Sequence, residues 1–178
     1  MEERLKQQLD FILEIDKEKN ILRQTHLSGH GRRENDAEHA WHMAIMAYLL
    51  KDYANEPVDI AKVMIMCLIH DIVEIDAGDT YAYDTERLKT QKAREDAAKE
   101  RIFSLLPEDQ KKELTALFDE FENYRTPESK FAHSWITCSH CFSITVTAVA
   151  TGVSIRLLPS RYTEDNGKRS WDLRLYIK

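Results

Sequence analysis

Leu5, Leu9, Ile12, Leu13 and Ile15 recur at roughly helical spacing and predict a first amphipathic helix, with Arg23 near its end. Ser28-Gly29-His30-Gly31 breaks the pattern and predicts a loop. A second helix follows, capped at Asn35 or Asp36 and carrying His39, Trp41, Met43, Ala44, Met46, Ala47, Leu49 and Leu50. Pro57 opens a third, in which Val58, Ile60, Ala61, Val63, Met64 and Cys67 are expected to face inward and which ends on His70-Asp71. Ala77-Gly78-Asp79-Thr80 reads as a tight loop. A long charged helix is expected from about Thr85 to Leu106, another from Pro107 to about Tyr124, and the start of one more at Thr126-Pro127-Glu128. With 5 glycines and 4 prolines in 178 residues, little interrupts these helices, and they predict one all-α domain without repeats or a linker.

Composition narrows the function by exclusion. A chain of 178 residues is the size of one domain with a substantial core. Its formal charge of −6 and pI near 5.7 leave no broad basic surface for nucleic acid or anionic membrane. The start, Met1-Glu2-Glu3-Arg4-Leu5-Lys6, does not resemble a signal peptide, and no run approaches a membrane span. Three cysteines, an odd number without framework spacing, fit a reducing compartment. A cytoplasmic protein is expected.

The candidate chemistry begins at His70-Asp71. This pair closes the apolar run Val63 to Ile69 and opens an acidic stretch with Glu74, Asp76 and Asp79. Adjacent helical side chains point about 100° apart, so both reach one ion most easily from a distorted helix end. His39, on the second helix with His42 one turn away, offers another imidazole. Histidine nitrogen with carboxylate oxygen is the ligand mixture of a borderline divalent metal that activates water. Glu74 lies four residues after His70, on the same face if the helix continues, and is placed to accept a proton as general base. A phosphate will not approach bare carboxylates, and Arg23 and Arg33 are the candidate cations for it. On the His-Asp pair alone a solvated helix terminus is the better explanation of these residues.

The wider pattern resembles a known family. Arg33-Glu34-Asn35-Asp36-Ala37-Glu38-His39-Ala40-Trp41-His42, followed by His70-Asp71-Ile72-Val73-Glu74-Ile75-Asp76-Ala77-Gly78-Asp79-Thr80, is similar to the HD-domain metal-dependent phosphohydrolases, in particular the 5'-deoxynucleotidase-like branch. The likeness runs from about Leu9 to about His133. It implies an α-helical bundle around one divalent ion (manganese, cobalt, magnesium or zinc), with His39, His70 and Asp71 as three of four ligands. It also implies Glu74 as the base, Asp79 facing the substrate or protonating the leaving oxygen, and a homodimer. Gln24 stands where some relatives carry an aromatic residue against the base.

After His133 the texture changes, and residues 134–178 read as an out-of-frame tail behind an HD domain at 1–133. Ser, Thr and Val replace Glu, Lys and Leu, which favours strand. Trp135 has one codon, TGG, and every isoleucine codon begins AT, so a frame one nucleotide earlier forces aspartate across Trp135-Ile136. The same frame permits Met before it and Asn-Met-Gln-Pro-Leu after it, then Gly-Gly-Asp-Trp-Arg-Glu-His across Ala148 to Ile155. Both segments resemble the family, and that aspartate is its fourth ligand, so Ile136 occupies the ligand's place. Cys138-Ser139-His140-Cys141 with His133 lacks the second pair that a structural zinc site needs. The expected function is hydrolysis of nucleoside, in particular deoxynucleoside, 5'-monophosphates, impaired here by the missing ligand. The alternatives are a non-catalytic nucleotide- or partner-binding protein and an HD-type phosphodiesterase.

Overall fold

A computed structural model describes residues 2–27, 31–78 and 85–136, with short strand segments at 155–156, 161–165, 168–172 and 176–177. The domain is mainly helical. Helices α1 (Glu2–Ile15), α2 (Asp36–Leu49), α3 (Ile60–Ile69), the single turn α4 (Glu74–Ala77), α5 (Thr85–Phe103) and α6 (Glu108–Asn123) are followed by α7 at residues 127–136. Short 3-10 segments, Asp16–Asn20 and Lys51–Tyr53, trail α1 and α2.

The helix bounds follow local chemistry. Asn35 caps α2 by accepting from the Glu38 N–H at 2.9 Å, while the Glu38 carboxylate accepts from the Asn35 N–H at 3.2 Å. Helix α3 starts at Ile60 rather than Pro57, because the Asp59 side chain accepts from the N–H groups of Ala61 and Lys62. Ala61, expected inside, is exposed; Val63, Met66, Cys67 and Ile69 form the buried stripe.

Two features depart from the helical expectation. Residues Leu22–His26 (β1) and Arg33–Asn35 (β2) pair antiparallel as a small sheet, so Arg23 lies on a strand and not at the end of the first helix. At the other end, α7 runs through Ser134, Trp135 and Ile136 instead of turning to strand. Trp135 is buried there, edge-on to Phe131 at 5.4 Å, and that burial outweighs the strand propensity of its neighbours. Beyond it, β3 (Ile155–Arg156) pairs with β6 (Tyr176–Ile177), and β4 (Arg161–Asp165) pairs with β5 (Lys168–Asp172). Ile144 to Val149, Cys138 and Cys141 lie outside the described residues.

Two apolar clusters hold the domain. One joins α2, α3, α6 and α7 through Met43, Met46, Val63, Met66, Phe121 and Trp135. The other joins α1, the end of α3, α5 and α6 through Phe11, Ile69, Ile102, Phe103 and Phe118. Full burial of such side chains stabilises by about 1.5–3 kcal/mol each. Cys67 belongs to the first cluster, and Ile69, Ile72 and Val73 to the second, so the chain crosses from one core to the other at His70-Asp71.

Candidate metal centre

The geometry of His70-Asp71 originates in how α3 ends. After Ile69 the hydrogen bonds tighten to the i to i−3 pattern: Ile72 N–H to Ile69 O at 3.3 Å, Glu74 N–H to Asp71 O at 2.8 Å, Ile75 N–H to Ile72 O at 3.2 Å. The helix therefore breaks and restarts as α4, which is the distorted end that lets two consecutive side chains serve one point. Gly78 closes α4 at φ 70°, a conformation open to glycine at little cost.

His39, His70 and Asp71, all buried, each offer a ligand atom, and these atoms lie within 4.8 Å of one another. The two rings are 5.6 Å apart between centroids, and His70 also packs against Phe121 at 5.3 Å. His70 Nδ1–H donates to the Cys67 carbonyl at 2.8 Å, which leaves Nε2 as the nitrogen beside Asp71, 3.0 Å from its Oδ2. Neither ring nitrogen of His39 has a hydrogen-bond partner; Nδ1 lies 3.6 Å from Glu34 Oε2, close to the carboxylate but beyond hydrogen-bond distance. Buried imidazole nitrogens without partners, beside a carboxylate, suit a divalent ion of the N/O-binding kind.

Electrostatics fit the same purpose. Burial pushes the pKa of His39 down, favouring the neutral form that can ligate. Burial opposes charge on His70 and Asp71 as well, but each favours the other's charge: His70 is raised and Asp71 lowered. Arg23 contributes the remaining cation. Its Nη1 donates to Asp71 Oδ2 at 2.5 Å and to Asp36 Oδ1 at 3.1 Å, with the side chain 15% exposed.

The structure thus brings together His39, His70, Asp71 and Arg23. Glu74 is half-buried at the start of α4 and acts electrostatically on both Asp36 and Arg23, which puts it beside the cluster although α3 does not continue to it. Arg33 is not gathered in: it is exposed on β2, across the strand from buried Glu34. Gln24 is exposed on β1, across that strand from Arg23. Asp79 lies outside the described residues. His42 stacks on Trp41 at 6.2 Å, and Glu38 serves the helix cap and pairs with Arg32.

Three carboxylates that the sequence reading did not assign to the site also face it. Asp36, wholly buried, has its pKa pushed up to about 6 by burial and by Asp71. Glu18, on the segment after α1, is pushed up to about 7 by burial, with Asp71 adding to the effect. Glu34 stays below the usual carboxylate range because His39, Thr25 and Arg23 outweigh its burial. Glu34 and Asp36 stand inside the histidine motif and were detectable from it; Glu18 carries no sequence signal.

Comparison with known proteins agrees with this geometry. The HD-domain family matches residues 15–148. Human 5'-deoxynucleotidase HDDC2 is 33% identical over 107 residues, 60% of this chain and 51% of that protein. The Bos taurus protein of the same name is 32% identical over 105 residues, 59% of this chain and 50% of its own length. The chain spans about half the length of these curated relatives. Among solved structures, a "Predicted metal-dependent phosphohydrolase" from Magnetospirillum magnetotacticum MS-1 is 48% identical, with a TM-score of 0.76 over 84% of this chain and 75% of that one. A conserved hypothetical protein from Pyrococcus furiosus, 23% identical, shares the fold with a TM-score of 0.56 over 81% of this chain and 82% of its own.

Proposed function

Because this chain belongs to the HD-domain family, we propose that it descends from a metal-dependent phosphomonoesterase that hydrolyses nucleoside, in particular deoxynucleoside, 5'-monophosphates. The observation that carries the reading is the buried donor set of His39, His70 and Asp71 with Arg23 against it. Relatives named 5'-deoxynucleotidase support the substrate class.

His39, His70 and Asp71 would hold the ion. When bound, it supplies Lewis acidity and lowers the pKa of a water. Glu74 would accept the proton of the attacking water as that oxygen bonds to phosphorus. The bond from phosphorus to the 5' oxygen breaks, and Asp79 returns a proton to that oxygen, giving nucleoside and phosphate. Arg23, drawn toward Asp36 and Asp71, balances the negative site and binds phosphoryl oxygen; Arg33 contributes charge from the rim. Trp41, Ile45 and Tyr48, exposed on the outer face of α2 at i, i+4 and i+7, support a homodimer, and no described helix is long and apolar enough to cross a membrane. Three cysteines without framework spacing support a cytoplasmic location.

In this chain Ile136, half-buried against the core, stands in the place of the fourth ligand, and it favours impaired catalysis. The test is phosphate release from a panel of nucleoside monophosphates and bis-phosphoesters, by this chain and by a frame-restored version, with manganese or with chelator. Monoester turnover in the restored protein that chelator stops is expected. Full turnover in excess chelator with no metal bound refutes the metal-hydrolase reading, and metal binding without turnover in the restored protein supports the non-catalytic one.

A further inference from the structure

The two-stranded sheet stands apart in a helical domain, and its inner face carries polar side chains only. Along β1, Arg23 and Thr25 are half-buried while Leu22, Gln24 and His26 are exposed; on β2, Glu34 is the buried residue. Arg23 reaches Asp36 and Asp71. Thr25 Oγ1 donates to Glu34 Oε2 at 3.2 Å, and the same oxygen faces His39 Nδ1 at 3.6 Å. His39 is wholly buried.

A neutral imidazole carries its proton on one nitrogen, and the group beside it decides which. At His70 the Cys67 carbonyl accepts from Nδ1 and frees Nε2. The only acceptor placed beside His39 Nδ1 among the described contacts is the Glu34 carboxylate. A buried carboxylate is costly to desolvate, so one held against an imidazole calls for a compensating role.

We propose that Glu34 is a positioning residue for metal binding: its carboxylate, pinned by Thr25, fixes the proton of His39 on Nδ1 and orients the ring so that Nε2 is the donor. The inference rests on the reading of His39 as a ligand. It gives the sheet a purpose, since β1 and β2 together deliver the Thr25-Glu34 pair to a helix that begins one residue after the sheet ends.

The test compares cobalt(II) affinity, by competition with a chelating indicator, in wild type, Glu34→Ala, Glu34→Gln and His39→Ala. Loss of such an outer partner typically weakens metal binding about 10- to 100-fold, which is expected for Glu34→Ala. Glu34→Gln keeps an acceptor and should recover most of that loss. In the cobalt-loaded protein, the exchangeable, paramagnetically shifted Nδ1–H signal absent from His39→Ala should persist in Glu34→Gln and vanish in Glu34→Ala. Wild-type affinity in Glu34→Ala, or equal losses in the Ala and Gln variants, overturns the proposal. Should Glu34→Ala fail to fold, Thr25→Val serves instead: a severalfold loss of affinity supports the proposal and no change overturns it. If His39→Ala itself binds cobalt as wild type does, the ligand reading has failed; if it does not and Glu34→Ala does, only the role of Glu34 has.

Discussion

Replacing Arg23 with methionine probes how the site is held together before an ion or substrate arrives. The guanidinium lies within 3.1 Å of both Asp71 and Asp36, and Asp36 is wholly buried. Methionine keeps much of the bulk but removes the cation that Asp36 and Asp71 share, leaving Asp71, among the described residues, with only His70 beside it. Removing one partner of a buried pair costs about 3–5 kcal/mol. Protonation limits that cost in a pH-dependent way. Asp36 already titrates near 6 in the folded protein, above its ordinary value of 3.8, so the folded state binds more protons across that window. Stability therefore falls as pH rises through it. Without Arg23 the folded value climbs further and the window widens upward, at about 1.4 kcal/mol per unit. In chelator, urea unfolding should show Arg23→Met destabilised by about 3–5 kcal/mol at pH 8 and by only about 1–2 kcal/mol at pH 5. Added manganese should restore more stability to the variant than to wild type, because the ion takes over the lost charge. A loss below about 1 kcal/mol, equal at both pH values, would show that Arg23 is not the counter-ion of this cluster.

Glu18→Gln should act in the opposite direction. The folded pKa near 7 against an ordinary 4.5 makes the ionised carboxylate a burden above pH 7 that disappears below 4.5, so the amide should stabilise the metal-free protein by roughly 2–3 kcal/mol at pH 8 and by little at pH 4.5, read by urea unfolding at both. Phe121 packs on His70 at 5.3 Å and stacks on His133 at 4.0 Å; Phe121→Ala should cost about 3–5 kcal/mol in thermal or urea unfolding and weaken cobalt binding by loosening His70. Asn35→Ala, which breaks the capping box of α2, should cost about 1 kcal/mol while sparing metal affinity. In a frame-restored protein, Glu74→Ala should lower turnover by about 10²- to 10⁴-fold with metal content largely kept; collapse of both makes Glu74 a ligand or a support.

Much of the domain was legible as periodicity. The cap at Asn35 and the breaks at Pro107 and Tyr124 are local choices that few residues decide, and they stand where the pattern put them; of the residues expected to face inward on α3, Val63 and Cys67 are buried and Ala61 is not. His39 and His70-Asp71 were legible as chemistry through the two-part motif that places one on α2 and the pair at the end of α3, and through its resemblance to a known family. The sheet was not. Leu22-Arg23-Gln24-Thr25-His26 has no apolar alternation, and its strand state arises from pairing with Arg33–Asn35 across a gap in sequence. Nor could the chain alone reveal that Glu18, Glu34 and Asp36 are buried, since charged side chains default to solvent and only the docking of β1, β2 and the segment after α1 around the end of α3 removes them from it. Tertiary structure likewise turned Arg23 from a helix-end cation into the partner of two buried carboxylates, and it set Arg33 on the outer side of its strand. Local pattern chose the helices and the donor types; the field around those donors, made by groups distant in sequence, was decided by packing.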